Sequence, residues 1–134
     1  MTNNKILLIE DDKDTVRAMA VRLKAKGYQL AVAHDAISAI STARKEKPDL
    51  IVLDLGLTAG DGFMVIQRLK SNYDLMLTSI IVVSARDPLV NQQRALEAGA
   101  DFFFQKPIDN DEFFGAVQKA LLKSGAVGQE APRK

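Results

Sequence analysis

The chain has 134 residues and a formal net charge of +1, with 47% hydrophobic and 26% charged residues, which is the profile of one globular domain. It contains no cysteine and one histidine, which excludes disulfides, thiol catalysis and a multi-histidine zinc site within the chain. The small net charge gives no general attraction to nucleic acid or to an anionic membrane, and no apolar run approaches the ~18 residues of a spanning helix. A strand-like pattern starts almost at Met1, which leaves no room for a signal peptide and predicts a cytoplasmic protein.

The first half of the chain alternates between short apolar runs and amphipathic segments. The apolar runs predict strands at residues 6–9, 29–33 and 50–53. A helix is predicted over residues 14–26, where Gly27 is a typical stop signal. Asp35 is predicted to cap a second helix that ends at about Lys45. The residues of that helix predicted to face inward are Ile37, Ile40 and Ala43.

The second half repeats the alternation. Asp61 is predicted to cap a third helix after a loop at residues 56–60, and residues 71–78 form a connection of undefined shape. The remaining predicted strands are residues 80–83 and 102–104. The remaining predicted helices start at Pro88 and at Asp109 or Asn110, and they end at Ala98, before Gly99, and at about Lys123. The domain is therefore predicted to span residues 1–123, followed by a disordered tail at 124–134.

Five strand–helix units in succession predict an α/β fold, (βα)5, with a doubly wound parallel sheet and helices on both faces. The flavodoxin-like strand order 2-1-3-4-5 is the natural arrangement for five such units. In that order the first and third strands are neighbours at the topological switch point, where ligands bind in such sheets. Sequence order alone also permits a five-stranded Rossmann-like order.

Polar residues follow four of the predicted strands where each one ends. They are Glu10, Asp11 and Asp12 after the first strand, Asp54 after the third, Ser84 after the fourth and Lys106 after the fifth. Carboxylates this close repel one another, and oxygen ligands select Mg²⁺ or Mn²⁺ over zinc, so the cluster predicts a divalent-cation site. The set suits phosphoryl transfer to a carboxylate, with Asp54 as nucleophile, Lys106 as a positive charge and Ser84 as a hydroxyl donor. Each residue alone is more often a helix cap or a turn residue, so the prediction depends on their joint occurrence.

The chain resembles the receiver domain of two-component response regulators, of the CheY-like single-domain type, on these residues and their spacing. Asp54 follows Asp11 by 43 residues, and it precedes Ser84 by 30 and Lys106 by 52. The segments 54–57, 61–62 and 98–101 are also similar to that family's sequences. The similarity covers about residues 4–123.

The resemblance implies a metal and phosphoryl site. Asp54 is implied as the phosphoacceptor, and Lys106 as the residue that pairs first with Asp54 and then with the phosphoryl group. The implied ligands of Mg²⁺ (or Mn²⁺) are Asp11 directly, Glu10 through a water molecule, Asp54, and the main-chain carbonyl of Gly56. A contribution from Asp12 stays open.

The resemblance also implies a switch. Ser84 and Phe103 form the implied switch pair, in which the hydroxyl moves to the phosphoryl oxygen and the aromatic ring turns inward. Gly56 and Arg86 occupy positions that tune dephosphorylation in the family. The peptide bond between Lys106 and Pro107 is the implied cis bond, which an X-Pro sequence permits.

The implied function is that of a phosphorelay switch. A sensor histidine kinase or a phosphotransfer protein supplies the phosphoryl group, and the domain dephosphorylates itself slowly instead of turning over as an ordinary enzyme. A downstream protein then binds the surface of the fourth helix, fifth strand and fifth helix, without direct binding to nucleic acid or membrane. We expect a monomer or a phosphorylation-dependent dimer, and the residues that would form inter-subunit pairs are Asp101, Glu112, Lys119 and Lys123.

Three other interpretations remain. The chain is alternatively a constitutive pseudo-receiver that binds partners without phosphorylation, or a receiver fragment of a longer DNA-binding regulator or hybrid kinase. A dehalogenase-like phosphatase also uses a nucleophilic aspartate after a strand, but it needs a second aspartate two residues later, where this chain has Gly56.

Overall fold

The computed structural model describes residues 4–57 and 62–129, with side chains as far as residue 123. Within these ranges the chain forms five strands and five helices in strict alternation. Their bounds are β1 (Lys5–Ile9), α1 (Lys13–Ala25), β2 (Gln29–Ala33), α2 (Ala36–Glu46), β3 (Leu50–Asp54), α3 (Gly62–Ser71), β4 (Ser79–Ser84), α4 (Pro88–Ala98), β5 (Phe102–Gln105) and α5 (Asn110–Gln129). No helix in the described part of the chain is both long and apolar enough to cross a membrane.

The five strands form one sheet in the order β2-β1-β3-β4-β5, with every neighbouring pair parallel. This confirms the flavodoxin-like prediction and removes the Rossmann-like alternative. The register pairs Ile9 with Leu53, and Asp54 with Val83. The carboxyl ends of β1, β3 and β4 are therefore level with one another at one edge of the sheet.

Two apolar layers pack against the two faces of the sheet. The central strands are buried on both sides, so alternate residues of each strand enter opposite layers. In β1, for example, Leu7 and Ile9 pack with α2, α3 and α4, while Ile6 and Leu8 pack with α1 and α5. Because the central strands are buried on both faces, they appear in the sequence as continuous apolar runs.

The orientation of α2 differs from the prediction. Ile37 is 81% exposed, whereas Ala39 and Ala43 are completely buried and Ile40 is partly buried. The buried stripe passes through Ala39 and Ala43, four residues apart, and these small side chains allow the helix to lie close to the sheet. The prediction that Ile37 faces inward was wrong, because the available space, and not hydrophobicity alone, selects the buried stripe.

The last helix is longer than predicted. Helix α5 continues to Gln129, past the predicted end at Lys123, so the backbone of residues 124–129 is helical where we expected disorder. This stretch contains no proline, and adding residues to an existing helix costs far less than starting one. Residues 130–134 lie outside the described residues, as does the predicted cap Asp61.

Candidate functional site

The predicted polar residues meet at the carboxyl edge of the sheet. Glu10 and Asp11 follow β1, Asp54 is the last residue of β3, and Ser84 is the last residue of β4. The main-chain N–H of Lys106 donates to the carbonyl of Ser84 at 2.8 Å, which draws the segment after β5 to the same place. Hydrogen bonding of neighbouring strands thus brings together residues that are far apart in the sequence.

Three carboxylates form the centre of the site. One oxygen each from Glu10, Asp11 and Asp54 lie within 4.8 Å of one another. Glu10 is 1% exposed and Asp54 is 8% exposed, while Asp11 is half-buried. An all-oxygen donor set matches the preference of Mg²⁺, which usually binds one or two carboxylates directly and keeps several waters through which a further acid can act. The residues therefore fit a hard divalent cation.

Lys106 supplies a positive charge to this cluster. Its Nζ lies 3.0 Å from Glu10 Oε1 and 3.4 Å from Asp54 Oδ2. The other oxygen of Asp54, Oδ1, accepts a hydrogen bond of 3.0 Å from the main-chain N–H of Gly56. The other oxygen of Glu10, Oε2, accepts one of 3.2 Å from the N–H of Asp12. Both buried carboxylates are consequently held in fixed orientations.

The pKa values of Glu10 and Lys106 are both raised, although burial acts on them in opposite directions. Burial raises the pKa of Glu10, and the charge of Asp54 raises it further, in spite of the opposing hydrogen bond from Lys106. Burial opposes the charged form of Lys106, but its hydrogen bond to Glu10 and the charge of Asp54 raise its pKa overall. The charge of Asp54 raises both pKa values, as expected where one cation faces more than one carboxylate. A second cation would relieve this imbalance.

Asp12 has a structural role. Its side chain caps α1, where Oδ2 accepts a hydrogen bond of 2.9 Å from the N–H of Thr15, and the Thr15 hydroxyl also donates to it at 2.5 Å. These bonds lower the pKa of Asp12 and leave its carboxylate turned toward the helix. The acid that looked like a third member of the cluster in sequence is thus a helix cap.

The predicted switch residues lie on the neighbouring strands β4 and β5. Ser84 is completely buried, and its Oγ accepts a hydrogen bond of 2.9 Å from the N–H of Arg86, whose residue is exposed. Phe103 is partly buried and packs against the apolar layer formed with α2, α3 and α4. The bond between Lys106 and Pro107 is cis, as the resemblance implied.

One structural contact at the site was not predicted from the sequence. A Cβ atom on Gly62 would lie 2.7 Å from the Cα of Leu55, the residue after Asp54. Only glycine allows α3 to begin so close to the end of β3, so this residue fixes the segment that follows the phosphoacceptor candidate. The glycine was visible in the motif at residues 61–62, but the backbone it touches was not.

A groove of about 400 Å³ runs from the site along α1. Lys106 lies among its lining residues, which include both polar and apolar side chains. The other residues that line it are Asp14, Thr15, Ala18, Met19, Arg22, Pro107, Ile108 and Asn110. It is therefore formed by α1 on one side and by the connection from β5 to α5 on the other.

Comparison with known proteins assigns the chain to one family. Residues 6–118 match the family described as response regulator receiver domain. The transcriptional regulatory protein KdpE of Mycobacterium tuberculosis is 32% identical over 92% of this chain and 54% of its own length. The alkaline phosphatase synthesis transcriptional regulatory protein PhoP of Bacillus subtilis is 34% identical over 91% of this chain and 50% of its own length. The chain thus spans about half the length of these relatives.

Solved structures show the same fold. The BeF3-activated N-terminal receiver domain of Klebsiella pneumoniae RstA superposes with a TM-score of 0.82 at 25% identity, covering 88% of this chain and 98% of that domain. The receiver domain of the Pseudomonas aeruginosa sensor histidine kinase PA1611, solved with a magnesium ion in its active site cleft, gives a TM-score of 0.82 at 23% identity, covering 90% and 98%. At that identity the second likeness concerns the fold alone.

Proposed function

Because this chain belongs to the family of response regulator receiver domains, we propose that it is a phosphorylation switch whose phosphoacceptor is Asp54. The observation that carries the proposal is the convergence of Asp54 with two further acids and Lys106 at one edge of the sheet. A phosphohistidine on a sensor kinase or a phosphotransfer protein is the proposed donor. The site fits Mg²⁺ (or Mn²⁺), and the proposed ligands are Glu10, Asp11, Asp54 and the carbonyl of Gly56.

The proposed transfer is a substitution at phosphorus. An oxygen of the Asp54 carboxylate attacks the phosphorus, the P–N bond of the donor breaks, and the imidazole leaves with the bonding electron pair. Asp54 Oδ2 faces Lys106 and Oδ1 faces the N–H of Gly56, so its orientation is set before a donor arrives. A bound divalent cation supplies charge neutralisation for the phosphoryl oxygens.

Lys106 is proposed to change partners during this step. Its ammonium lies between Glu10 and Asp54, at 3.0 and 3.4 Å, so a small movement brings it to a phosphoryl oxygen carried by Asp54. Ser84 is proposed to donate its hydroxyl to a second oxygen, after which Phe103 turns further into the protein. These movements are proposed to alter the surface of α4, β5 and α5, where a downstream protein binds.

The phosphoryl group is proposed to be lost slowly by hydrolysis, in which water attacks the phosphorus, the bond between phosphorus and the Asp54 oxygen breaks, and inorganic phosphate leaves. Gly56 has no side chain beside Asp54, which leaves room for water, whereas the side chain of Arg86, two residues after Ser84, is proposed to shield the phosphoryl group. The chain is therefore proposed to be a self-phosphorylating and self-dephosphorylating signalling domain of the cytoplasm.

Two further proposals concern partners. The groove along α1 opens beside Lys106, so it is the surface on which we propose that the phosphodonor docks.

We propose that the protein is a monomer or a phosphorylation-dependent dimer. In the structure Lys123 Nζ pairs with Asp101 Oδ1 of its own chain at 3.2 Å. An inter-subunit role for these two residues requires that this pair exchange partners.

The test is intact mass after incubation with acetyl phosphate and Mg²⁺. We expect one phosphoryl adduct on the parent protein, and none on an Asp54→Asn variant or when EDTA replaces the metal. A beryllofluoride titration, followed by NMR, covers the case of a receiver that rejects small donors. Absence of both the adduct and a beryllofluoride response would favour the constitutive interaction module.

A further inference from the structure

The connection between α3 and β4 exposes an unusual concentration of apolar side chains. Tyr73, Met76 and Leu77 are 89%, 45% and 75% exposed, although they lie within five residues of one another. Scattered apolar residues on a surface are ordinary, but clusters mark sites of interaction. Leu75, between them, is buried in the apolar core and anchors the connection.

The connection has a fixed shape. The carbonyl of Asn72 accepts hydrogen bonds from the N–H groups of Leu75 at 3.0 Å and Met76 at 2.9 Å, as in a single helical turn. Residues three and four apart on such a turn share one side, so the side chains at 73, 76 and 77 are neighbours. Lys70 Nζ closes the turn by donating to the carbonyls of Met76 at 3.2 Å and Thr78 at 2.9 Å. A rigid turn loses little conformational entropy when it binds a partner.

Two cavities with cationic linings flank the turn. One of about 350 Å³ separates it from the end of α2 and is lined by Arg44 and Lys47 together with Asp74. The other, of about 540 Å³, lies beside α3 and is lined by Arg68. Among the described residues that line the two cavities, three are cations and one is an acid. The nearby Glu46 is already paired with Lys5 at 2.9 Å.

We propose that this surface, formed by the turn at residues 72–78 and its two flanking cavities, docks a protein segment in which apolar side chains alternate with carboxylates. The apolar residues of the turn provide the contact area, and the cationic cavities accept the flanking acids. Concave cavities suit side chains of a protein segment better than the flat face of a bilayer.

The surface is separate from the phosphoacceptor. The turn precedes β4 at the amino edge of the sheet, whereas Asp54 and Ser84 lie at the carboxyl edge. The six residues of β4 place roughly 16 Å between the two edges. Docking here is thus compatible with phosphoryl transfer at the other edge, and it does not depend on that transfer.

The test is an NMR titration of the ¹⁵N-labelled protein. The probe is a synthetic peptide in which glutamates flank leucine and phenylalanine, and the control peptide has lysine in place of each glutamate. We expect saturable shifts confined to residues 44–48 and 67–78 with the first peptide and none with the second. The Asp54→Asn variant should bind the peptide as the parent does, so this test and that of phosphorylation can fail separately.

Matched variants locate the interaction. Tyr73→Ser with Leu77→Ser should raise the dissociation constant about tenfold, and Arg44→Glu with Lys47→Glu about fivefold. Ile37→Ser removes a similarly exposed apolar residue from another surface and should leave the dissociation constant unchanged. Equal binding by all variants, or shifts elsewhere, would overturn the proposal. The proposal would also be overturned if the peptide did not bind while vesicles containing phosphatidylserine did bind in a Tyr73-dependent manner. That result would identify the surface as a membrane contact.

Discussion

Removing the charge of Lys106 should destabilise the metal-free protein because two buried carboxylates lose their counter-ion. The Lys106→Met substitution keeps most of the length of the side chain. At 3.0 and 3.4 Å the two attractions are each about 5 kcal/mol at an effective dielectric constant of about 20. Most of this attraction energy is offset by the cost of burying the ammonium group of Lys106. Breaking a buried pair usually costs 3–5 kcal/mol, and Lys106 is about a quarter exposed, so we expect a loss of about 3 kcal/mol.

The loss should depend on pH in a defined direction. The pKa of Glu10 in the folded protein is already above its ordinary value of 4.5, because of burial and the charge of Asp54. Without Lys106, which lowers it, this pKa rises further. The folded variant then binds more protons than the folded parent, so the difference in the free energy of unfolding should grow as pH rises above about 4.5. It should therefore be smaller at pH 5 than at pH 8.

Urea denaturation followed by circular dichroism in EDTA measures this difference. Lys119→Met, at an exposed position on α5, is the control for loss of a lysine. Excess Mg²⁺ should restore much of the lost stability, since binding to the folded state supplies the missing positive charge. A loss below about 1 kcal/mol at pH 8, or a larger loss at pH 5, would refute the electrostatic reasoning.

Three other substitutions separate packing from chemistry. Asp12→Ala should lower the free energy of unfolding by about 1 kcal/mol through loss of the cap, while phosphorylation by acetyl phosphate, followed by intact mass, continues at the parental rate. Gly62→Ala should lower it by about 1–3 kcal/mol in urea denaturation, because the new Cβ would overlap the backbone of Leu55. Gly56→Ala places a methyl group 3.7 Å from Asp54 Oδ1, an ordinary contact, so we expect unchanged stability but a longer lifetime of the phosphorylated protein in a mass time course.

The position of the site followed from the sequence because it depends on local patterns, whereas the sequence permitted two strand orders and the structure selected one of them. Apolar runs such as residues 50–53 identify strands buried on both faces, and in a parallel sheet the residues after such strands must share one edge. The placement of Asp54 and Lys106 needed only this rule. Asp12 could not be assigned in the same way, since a cap and a metal ligand have the same residue type at the same position.

The remaining differences arise from distances that a sequence does not contain. Ile37 and Ala39 both fit a helical stripe, and the separation between α2 and the sheet decides which is buried. The contact of Gly62 with Leu55 depends on how closely α3 approaches the end of β3. A contact between α3 and α4 was also not predictable from the sequence. The guanidinium of Arg94 lies 3.8 Å above the ring centre of the buried Phe63, and charge patterning does not predict this contact.

The charges at the site support the proposal that a cation and a phosphoryl group bind there together. Glu10, Asp11 and Asp54 lie close together and Lys106 pairs with two of them, so the unprotonated cluster has three negative charges and one positive charge. A divalent cation neutralises the remainder, and a phosphoryl group on Asp54 then restores an excess of negative charge of about one unit. Lys106 already lies beside this carboxylate, and Ser84, whose Oγ accepts from the N–H of Arg86, is proposed to donate its own hydrogen to the new oxygen. We therefore expect the excess negative charge of the metal-free site to favour metal binding, and the proposed phosphoryl group to attract these two side chains once it is attached.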